Sequence, residues 1–416
     1  MRHGQRDLDI VIYGATGFVG RLSAEYLAKA RPDIRVGLAG RSADRLHALR
    51  QSLGAAAQSW PLIVADLSQP AALEAMADQA RVVISAVGPY SRRGLPVVAA
   101  CAASGTDYVD LTGEVPFVRQ SIDRHHKQAA DNGVRIVHSC GFDSIPSDLN
   151  VYALHRRILD DDAGELGETT FVLRGYSGGF SGGTVATMVE LMQIGWGDPT
   201  MRRMLDDPYS LSPDRSAEPE LGPQPDLPLR RGADIAPELK GFWMCGYLMA
   251  LYNTRCVRRS NALLNWAYGR QLRYTETLSM GSSFAAPAFA AMGNVGLVSA
   301  SRFGGGYLGL LPPGLLERIM PPSDTGYNEG SRGYYKVETY TTTTRGARYV
   351  ATMTQQGDPG YAATAAMVGE SAITLACQRD RLSDRRGVLT PVAAMGDALL
   401  ARLPAAGVTI NTARLN

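Results

Sequence analysis

A glycine-rich segment, Gly14–Gly20, limits the possible folds of this chain more than any other part, because it lies between a short apolar run and an amphipathic stretch. The apolar run, Asp9–Tyr13, is typical of a buried parallel strand. The apolar residues Phe18, Leu22 and Tyr26 recur four apart and predict a helix with one buried face. A strand, a GxxGxxG turn and a helix in this order predict a dinucleotide-binding domain of the Rossmann type.

Each glycine of this segment has a physical role. Gly14 permits the tight turn, Gly17 lets the backbone approach the pyrophosphate, and Gly20 lets the helix pack against the strand. The start of the helix then offers N–H groups and the positive end of its dipole to the phosphates. We expect the cofactor to contact the loop through Gly14, Thr16, Gly17, Phe18, Val19 and Gly20.

The end of the second predicted strand, 34–39, distinguishes between the two nicotinamide cofactors. An NAD site has an acidic residue about 20 positions after the glycines, which binds the ribose 2′-hydroxyl. This sequence has Gly40, Arg41 and Ser42 there. A guanidinium with a hydroxyl beside it suits a 2′-phosphate, so the pattern favours NADPH, and the nearby Asp44 leaves NAD open.

Further strands alternate with helices up to about residue 138, which predicts an α/β fold with a doubly wound parallel sheet. Ligands of such sheets bind beyond the carboxyl ends of the strands. Asp66 follows the third strand and is expected at the adenine edge. Gly88 and Pro89 follow the fourth strand and are expected beside the ribose and the nicotinamide.

The chain of 416 residues is long for a single core, and the regular alternation of predicted strands and helices does not continue after residue 150. Seven prolines in Asp206–Glu238 are incompatible with regular structure. Strand-like runs on both sides of Arg345–Gly346 predict a hairpin within a mixed or antiparallel sheet. We predict a Rossmann domain over 1–148, completed by C-terminal helices within 361–416. A second α+β domain over 149–360 would serve substrate binding or dimerisation.

Composition argues against several classes of protein. A net charge of +2 without blocks of like charge gives no case for a nucleic-acid partner. Five cysteines without CxxC spacing predict free thiols, and no histidine cluster suggests a metal. A polar N-terminus and the absence of an uninterrupted apolar stretch of about 18 residues predict a cytoplasmic protein. The apolar segment 284–319 predicts core helices, and a surface for a lipid chain or a membrane stays the alternative.

Several motifs together resemble those of the saccharopine dehydrogenase-like oxidoreductases. They are Gly14–Gly20, Ala39–Arg41, Val87–Tyr90, Asp107–Glu114, Cys140–Asp148 and Gly387–Pro391. Within that family the chain is most similar to the mycobacterial trans-acting enoyl reductases, which act beside polyketide synthases in phthiocerol and phenolphthiocerol lipid synthesis. The resemblance implies NADPH-dependent reduction of an α,β-unsaturated, lipid-like acyl thioester on a synthase carrier domain. It also implies a homodimer through the sheet of the second domain.

Two residues at predicted strand ends are the catalytic candidates. Tyr90 is placed to donate to the thioester oxygen and Asp143 to line the nicotinamide pocket. A packing tyrosine and a helix N-cap are their structural alternatives. Helix capping or loop hydrogen bonding is the favoured role of Asp110 and Glu114.

The sequence leaves two other functions open. One is an NADPH-binding module that regulates or scaffolds lipid synthesis without catalysis, and the other is a reductase of a keto or imino group. The Tyr-x-x-x-Lys pair of the short-chain reductases is absent, because no tyrosine precedes any of the four lysines by four residues. The glycine loop therefore indicates the hydride carrier and not the group that receives the hydride.

Overall fold

The computed structural model describes residues 6–177, 198–303 and 333–416. The chain divides into two compact units, which are Met1–Ile145 with Gly360–Ala406 and Pro146–Pro359 with Gly407–Asn416. Among the described residues, each unit contains a seven-stranded sheet. Neither unit is continuous in sequence, because the chain leaves the first unit and later returns to it.

The first unit begins with strands and helices in alternation. In chain order they are β1 (Leu8–Tyr13), α1 (Phe18–Ala30), β2 (Val36–Gly40), α2 (Ala43–Ser52), β3 (Leu62–Val64), α3 (Pro70–Asp78), β4 (Ala80–Ser85), α4 (Tyr90–Ser104), β5 (Asp107–Asp110), α5 (Val115–Asp131) and β6 (Arg135–Val137).

The second unit follows through a long connecting helix. Its described elements are α6 (Ile145–Asp160), β7 (Leu166–Ser177), α7 (Pro199–Asp206), β8 (Arg230–Arg231), β9 (Trp243–Gly246), α8 (Ala250–Leu263), β10 (Arg273–Ser279), α9 (Ala286–Phe303), β11 (Tyr334–Thr343) and β12 (Arg348–Gln356). The C-terminal part adds α10 (Thr364–Cys377), β13 (Gly387–Leu389), α11 (Pro391–Arg402) and β14 (Thr409–Arg414).

All strand pairs of the first sheet are parallel, in the order β13-β6-β5-β4-β1-β2-β3. Strand β1 is buried along its whole length, as its apolar sequence predicts for a central strand. The strand order reverses at β1, which has β2 on one side and β4 on the other, so a crevice opens beyond their carboxyl ends. The predicted α/β class and doubly wound sheet are confirmed. Because β4 ends at Ser85, Ala86 and Val87 belong to the loop that borders this crevice.

The second sheet has the order β14-β12-β11-β7-β10-β9-β8. Strands β7 and β10 pair in parallel and the other pairs are antiparallel, so the sheet is mixed, as predicted. Strand β14 pairs with β12 and belongs to the second unit. The C-terminal helices α10 and α11 fall in the first unit, whereas the last residues, 407–416, fall in the second, where β14 pairs with the edge of β12.

The proline-rich segment, Asp206–Glu238, contains short 3-10 turns and the two-residue strand β8. A segment without a regular ladder leaves backbone carbonyl groups that need other donors. Buried arginines of α8 hold the segment: Arg259 donates to the carbonyl oxygen of Leu211 at 2.6 Å, and the guanidinium of Arg255 pairs with Asp226 at 2.6 Å. The segment is therefore held against α8 by charge-assisted hydrogen bonds.

Helix α9 is buried only near its start and has an exposed apolar side. Ala290 is buried, whereas Phe289, Met292 and Val295 are between 55% and 70% exposed. The predicted core packing of 284–319 thus holds only near the start of the helix, at Ala286 and Ala290, and residues 304–319 lie outside the described residues. None of the described helices is long and apolar enough to cross a membrane.

Candidate cofactor-binding site

The glycine-rich segment Gly14–Gly20, which includes the start of α1, has no room for side chains at two positions. Gly14 has a φ of +82°, and a Cβ there would lie 2.5 Å from Cγ2 of Val87. A Cβ on Gly20 would lie 2.2 Å from the carbonyl oxygen of Gly14. Glycine is required at Gly14 by backbone conformation and at Gly20 by the close approach of the helix to the turn.

Helix α1 begins directly after this loop with a terminus suited to an anion. Its N-cap is Gly17, which offers no side chain, and its first turn contains no acidic residue. By contrast, α2 has its own cap, because Oγ of Ser42 accepts from the backbone N–H of Arg45 at 3.3 Å. The first turn of α1 is therefore the terminus that suits phosphate groups.

A cleft of about 360 Å³ lies beside this loop, within the first unit. Six of the residues predicted to bind the cofactor line it, namely Gly14, Thr16, Gly17, Arg41, Asp66 and Gly88. The other predicted cofactor residues, which are Phe18, Val19, Gly20, Ser42 and Pro89, are not among its lining residues. Tyr13, Arg45 and Arg93 also line the cleft, although the sequence prediction did not include them in the site.

Two arginines lie on the side of the cleft formed by β2 and α2. Arg41 follows β2, is exposed, and has no hydrogen-bond or ion-pair partner among the described residues. A guanidinium nitrogen of Arg45 lies 3.5 Å from the carbonyl oxygen of Thr16. The hydroxyl of Ser42 accepts one hydrogen bond and keeps its own hydrogen to donate. These groups lie where a 2′-phosphate is expected.

The same side of the cleft contains one carboxylate and one tyrosine. Oδ1 of Asp66 accepts from the backbone N–H and the hydroxyl of Ser68, at 2.9 and 2.6 Å, and these bonds hold the pKa of Asp66 below its usual value. Burial, with the charge of Asp66, raises the pKa of Tyr13 to about 12. The Tyr13 phenol therefore stays protonated and can donate a hydrogen bond into the cleft.

The residues after β4 form the opposite side of the cleft. The Gly88–Pro89 peptide bond is cis. Glu114 caps the following helix, because its two carboxylate oxygens accept from the backbone N–H groups of Tyr90 and Ser91, at 2.8 and 2.7 Å. Glu114 thus has the capping role that the sequence favoured.

The hydroxyl of Tyr90 is engaged within the protein. It donates to the carbonyl oxygen of Ser85 at 2.9 Å and accepts from the backbone N–H of Leu111 at 3.3 Å. Burial raises the pKa of this phenol well above its usual value. These contacts match the packing alternative, since they leave Tyr90 no hydrogen to donate to a thioester.

Asp110 belongs to a buried hydrogen-bond network. It accepts from Nδ1 of His138 at 2.7 Å, and Nε2 of His138 lies 2.8 Å from Oγ of Ser121. The order of groups is that of a hydrolase triad, but these side chains are at most 2% exposed, which closes them to substrate. Asp143 lies half-buried in the loop between β6 and α6 and is not among the lining residues of the cleft.

Comparisons with known proteins define the class. Residues 10–137 match the family model of the saccharopine dehydrogenase NADP binding domain. The solved apo saccharopine dehydrogenase (L-glutamate forming) of Saccharomyces cerevisiae shares the fold, with a TM-score of 0.58 at 17% identity over 98% of this chain and 100% of that chain. The fold and the glycine loop thus define an NADP-binding oxidoreductase of the saccharopine dehydrogenase type.

Full-length relatives narrow this class. A Mycobacterium tuberculosis protein that is provisionally named a trans-acting enoyl reductase is 61% identical over 414 residues, or 99% of this chain and 98% of its own. The trans-acting enoyl reductases of Mycobacterium ulcerans and Mycobacterium leprae are 56% identical over 419 residues, which covers 100% of each chain. The chain belongs to this family of trans-acting enoyl reductases, and the resemblance stated from its motifs is confirmed.

Proposed function

We propose that the protein is an NADPH-dependent enoyl reductase that acts in trans on an α,β-unsaturated acyl thioester in polyketide-type lipid synthesis. The observation that carries the proposal is the cleft beside the glycine loop, where Arg41 stands in place of the acidic residue of an NAD site. The names of relatives that match from end to end support the reaction class.

The residues of the cleft fit the cofactor. Backbone N–H groups at the start of α1 would hold the pyrophosphate, and the turn at Gly14 and Gly20 has space for nothing larger than glycine. Arg41 would pair with the 2′-phosphate through its planar guanidinium, with Ser42 as a second donor. Asp66, held by Ser68, would accept from the adenosine end.

When bound, NADPH supplies a hydride for the β-carbon of the unsaturated thioester. The protein contributes orientation, with Gly88 and Pro89 beside the expected nicotinamide position. For the remaining proton we keep Asp143 as the candidate, and the engaged hydroxyl of Tyr90 is assigned to packing. The exposed apolar side of α9 supports contact with a lipid-like chain carried by a partner synthase or lying at a membrane.

The test is a turnover assay with the purified protein, NADPH deuterated at C4 and a 2-enoyl thioester of coenzyme A or of a carrier protein. We expect loss of reduced-nicotinamide absorbance and deuterium at the β-carbon of a saturated product. Deuterium at an alcohol or amine carbon of keto or imino analogues, without enoyl turnover, would instead show the other reductase. Tight NADPH binding without any hydride transfer would favour the non-catalytic module.

A matched pair of variants tests the cofactor assignment. Arg41→Ala should weaken NADPH binding and leave NADH binding unchanged, because the lost contact involves the 2′-phosphate alone. Arg50→Ala, which removes an arginine further along α2 and outside the cleft lining, should change neither. Equal weakening of both cofactors by Arg41→Ala would contradict the assignment.

A further inference from the structure

The cleft contains an arginine that the dinucleotide fingerprint does not assign. Arg93 lies in the first turn of α4, on the side of the cleft opposite Arg41 and Arg45. We propose that Arg93 binds the pyrophosphate of the dinucleotide and thereby sets affinity for NADPH and NADH alike, whereas Arg41 distinguishes between them. This inference rests on the proposed dinucleotide function of the same cleft.

The position of Arg93 follows from close packing at the end of β4. A Cβ on Gly14 would lie 2.5 Å from Cγ2 of Val87 and 3.3 Å from the carbonyl carbon of Ala86, so this loop touches the first glycine directly. Gly88 comes next, and its carbonyl oxygen accepts from Nη1 of Arg93 at 3.2 Å. The guanidinium is therefore held where the end of β4 meets the glycine loop.

The remaining donors of Arg93 are available to a ligand. A guanidinium has several N–H donors in a planar fork, and the bond to Gly88 uses one of them. Arg93 is exposed on the cleft side and forms no ion pair with any described residue. A planar fork with free donors suits bidentate binding to phosphate oxygens.

Helix α4 itself offers no positive terminus on this side of the cleft. Both carboxylate oxygens of Glu114 bind the first backbone N–H groups of α4, so the positive end of the dipole is already neutralised. An anion on this side therefore needs a side-chain cation. Arg93 is a lining residue that provides one.

Charge balance across the cleft supports the same assignment. Its lining contains three arginines, Arg41, Arg45 and Arg93, against one carboxylate, Asp66. A 2′-phosphate engages the two on the β2–α2 side. The third arginine, Arg93, matches the negative charge of the pyrophosphate. Backbone N–H groups alone would give the pyrophosphate hydrogen bonds but no formal counter-charge.

The experiment compares binding of NADPH and NADH to the full-length protein by fluorescence titration. Arg93→Gln removes the charge, Arg93→Lys keeps it, and Arg92→Gln changes the exposed neighbour that does not line the cleft. We expect Arg93→Gln to raise the Kd of both dinucleotides by the same factor, about tenfold, which corresponds to about 1.4 kcal/mol. Arg93→Lys should recover part of this loss, and Arg92→Gln should match the wild type.

The outcomes separate this inference from the proposed function. An effect of Arg93→Gln on NADPH alone would make Arg93 a 2′-phosphate residue and overturn the inference. The inference is also overturned if the Arg93→Gln and Arg92→Gln variants bind both dinucleotides equally well. Wild-type protein that binds neither dinucleotide would overturn the proposed function, and the inference with it. Unchanged thermal unfolding of the variants confirms that the comparison concerns folded protein.

Discussion

Glu276, on β10 of the second unit, is a fully buried carboxyl group whose titration should control the stability of that unit. It accepts hydrogen bonds from the hydroxyl of Tyr274 at 2.8 Å and from the amide of Asn253 at 3.1 Å. No described basic side chain pairs with it. Burial raises its pKa from 4.5 to about 7, and the hydrogen bonds, including one from Ser147, oppose that rise in part.

The sign of the effect follows from proton binding. In the unfolded chain the group ionises near its ordinary pKa of 4.5, and in the folded protein near pH 7, so the folded state holds an extra proton in between. Stability is therefore highest below the unfolded pKa and falls as the pH rises through the folded pKa. At about 1.4 kcal/mol for each pKa unit, the complete loss is about 3 kcal/mol.

Glu276→Gln keeps the size of the side chain and removes its charge. We expect the variant to be more stable than the wild type by about 2 to 3 kcal/mol at about pH 8, with a much smaller difference at about pH 5. Urea unfolding followed by tryptophan fluorescence at both pH values measures this. Glu220→Gln, at an exposed position of the same unit, is the control and should show no such pH dependence. If Glu276→Gln made the protein less stable than wild type at the higher pH, the reasoning would be refuted, because the carboxylate would then be ionised and favourable.

Three further predictions concern contacts described above. Gly20→Ala should abolish NADPH binding in a fluorescence titration, because its Cβ would lie 2.2 Å from a carbonyl oxygen of the loop, whereas Gly296→Ala, with nothing within 4 Å, should bind normally. Tyr26→Phe removes the 2.6 Å hydrogen bond between α1 and the carboxylate of Glu370 on α10 and should cost about 2 kcal/mol in urea unfolding, and an unchanged midpoint would contradict this. Arg255→Met leaves a largely buried carboxylate without its cation, so we expect a loss of about 3 kcal/mol and faster proteolysis between residues 206 and 238. Cleavage elsewhere in the chain first would count against that mechanism.

The local parts of the nucleotide site were predictable from sequence, and the parts made by packing were not. Gly14, Gly17 and Arg41 follow from a fixed spacing after one strand, because the turn and the strand end are set within a single βαβ unit. Arg93 has no such signal, since its position depends on the contact of the β4 loop with the first glycine. The catalytic role of Tyr90 was predicted from its place after a strand. The direction of its hydroxyl group, however, is set by backbone groups of neighbouring strands, which the sequence does not show.

In the second unit, too, local features were predictable from sequence and long-range pairing was not. The hairpin at Arg345–Gly346 has a local turn signal, and β11 and β12 pair as predicted. Strand β14 pairs with β12 from more than fifty residues away, and no turn between them marks that pairing. The apolar residues of α9 predicted burial, whereas the structure exposes one side of the helix, because composition alone does not tell which side faces a neighbour.

The discontinuous first unit imposes an order on folding during synthesis. Strand β6 emerges from the ribosome early, but its partner β13 follows only after the whole of 146–359 has been made. At ordinary rates of translation the interval between the synthesis of β6 and that of β13 is about 12 to 50 s. During that time the edge of β6 that later pairs with β13 has no neighbouring strand. The face of α1 that later packs against α10 is also uncovered. The first unit must therefore tolerate an unpaired strand edge while the rest of the chain is made, and a chaperone that shields this edge would act during this interval.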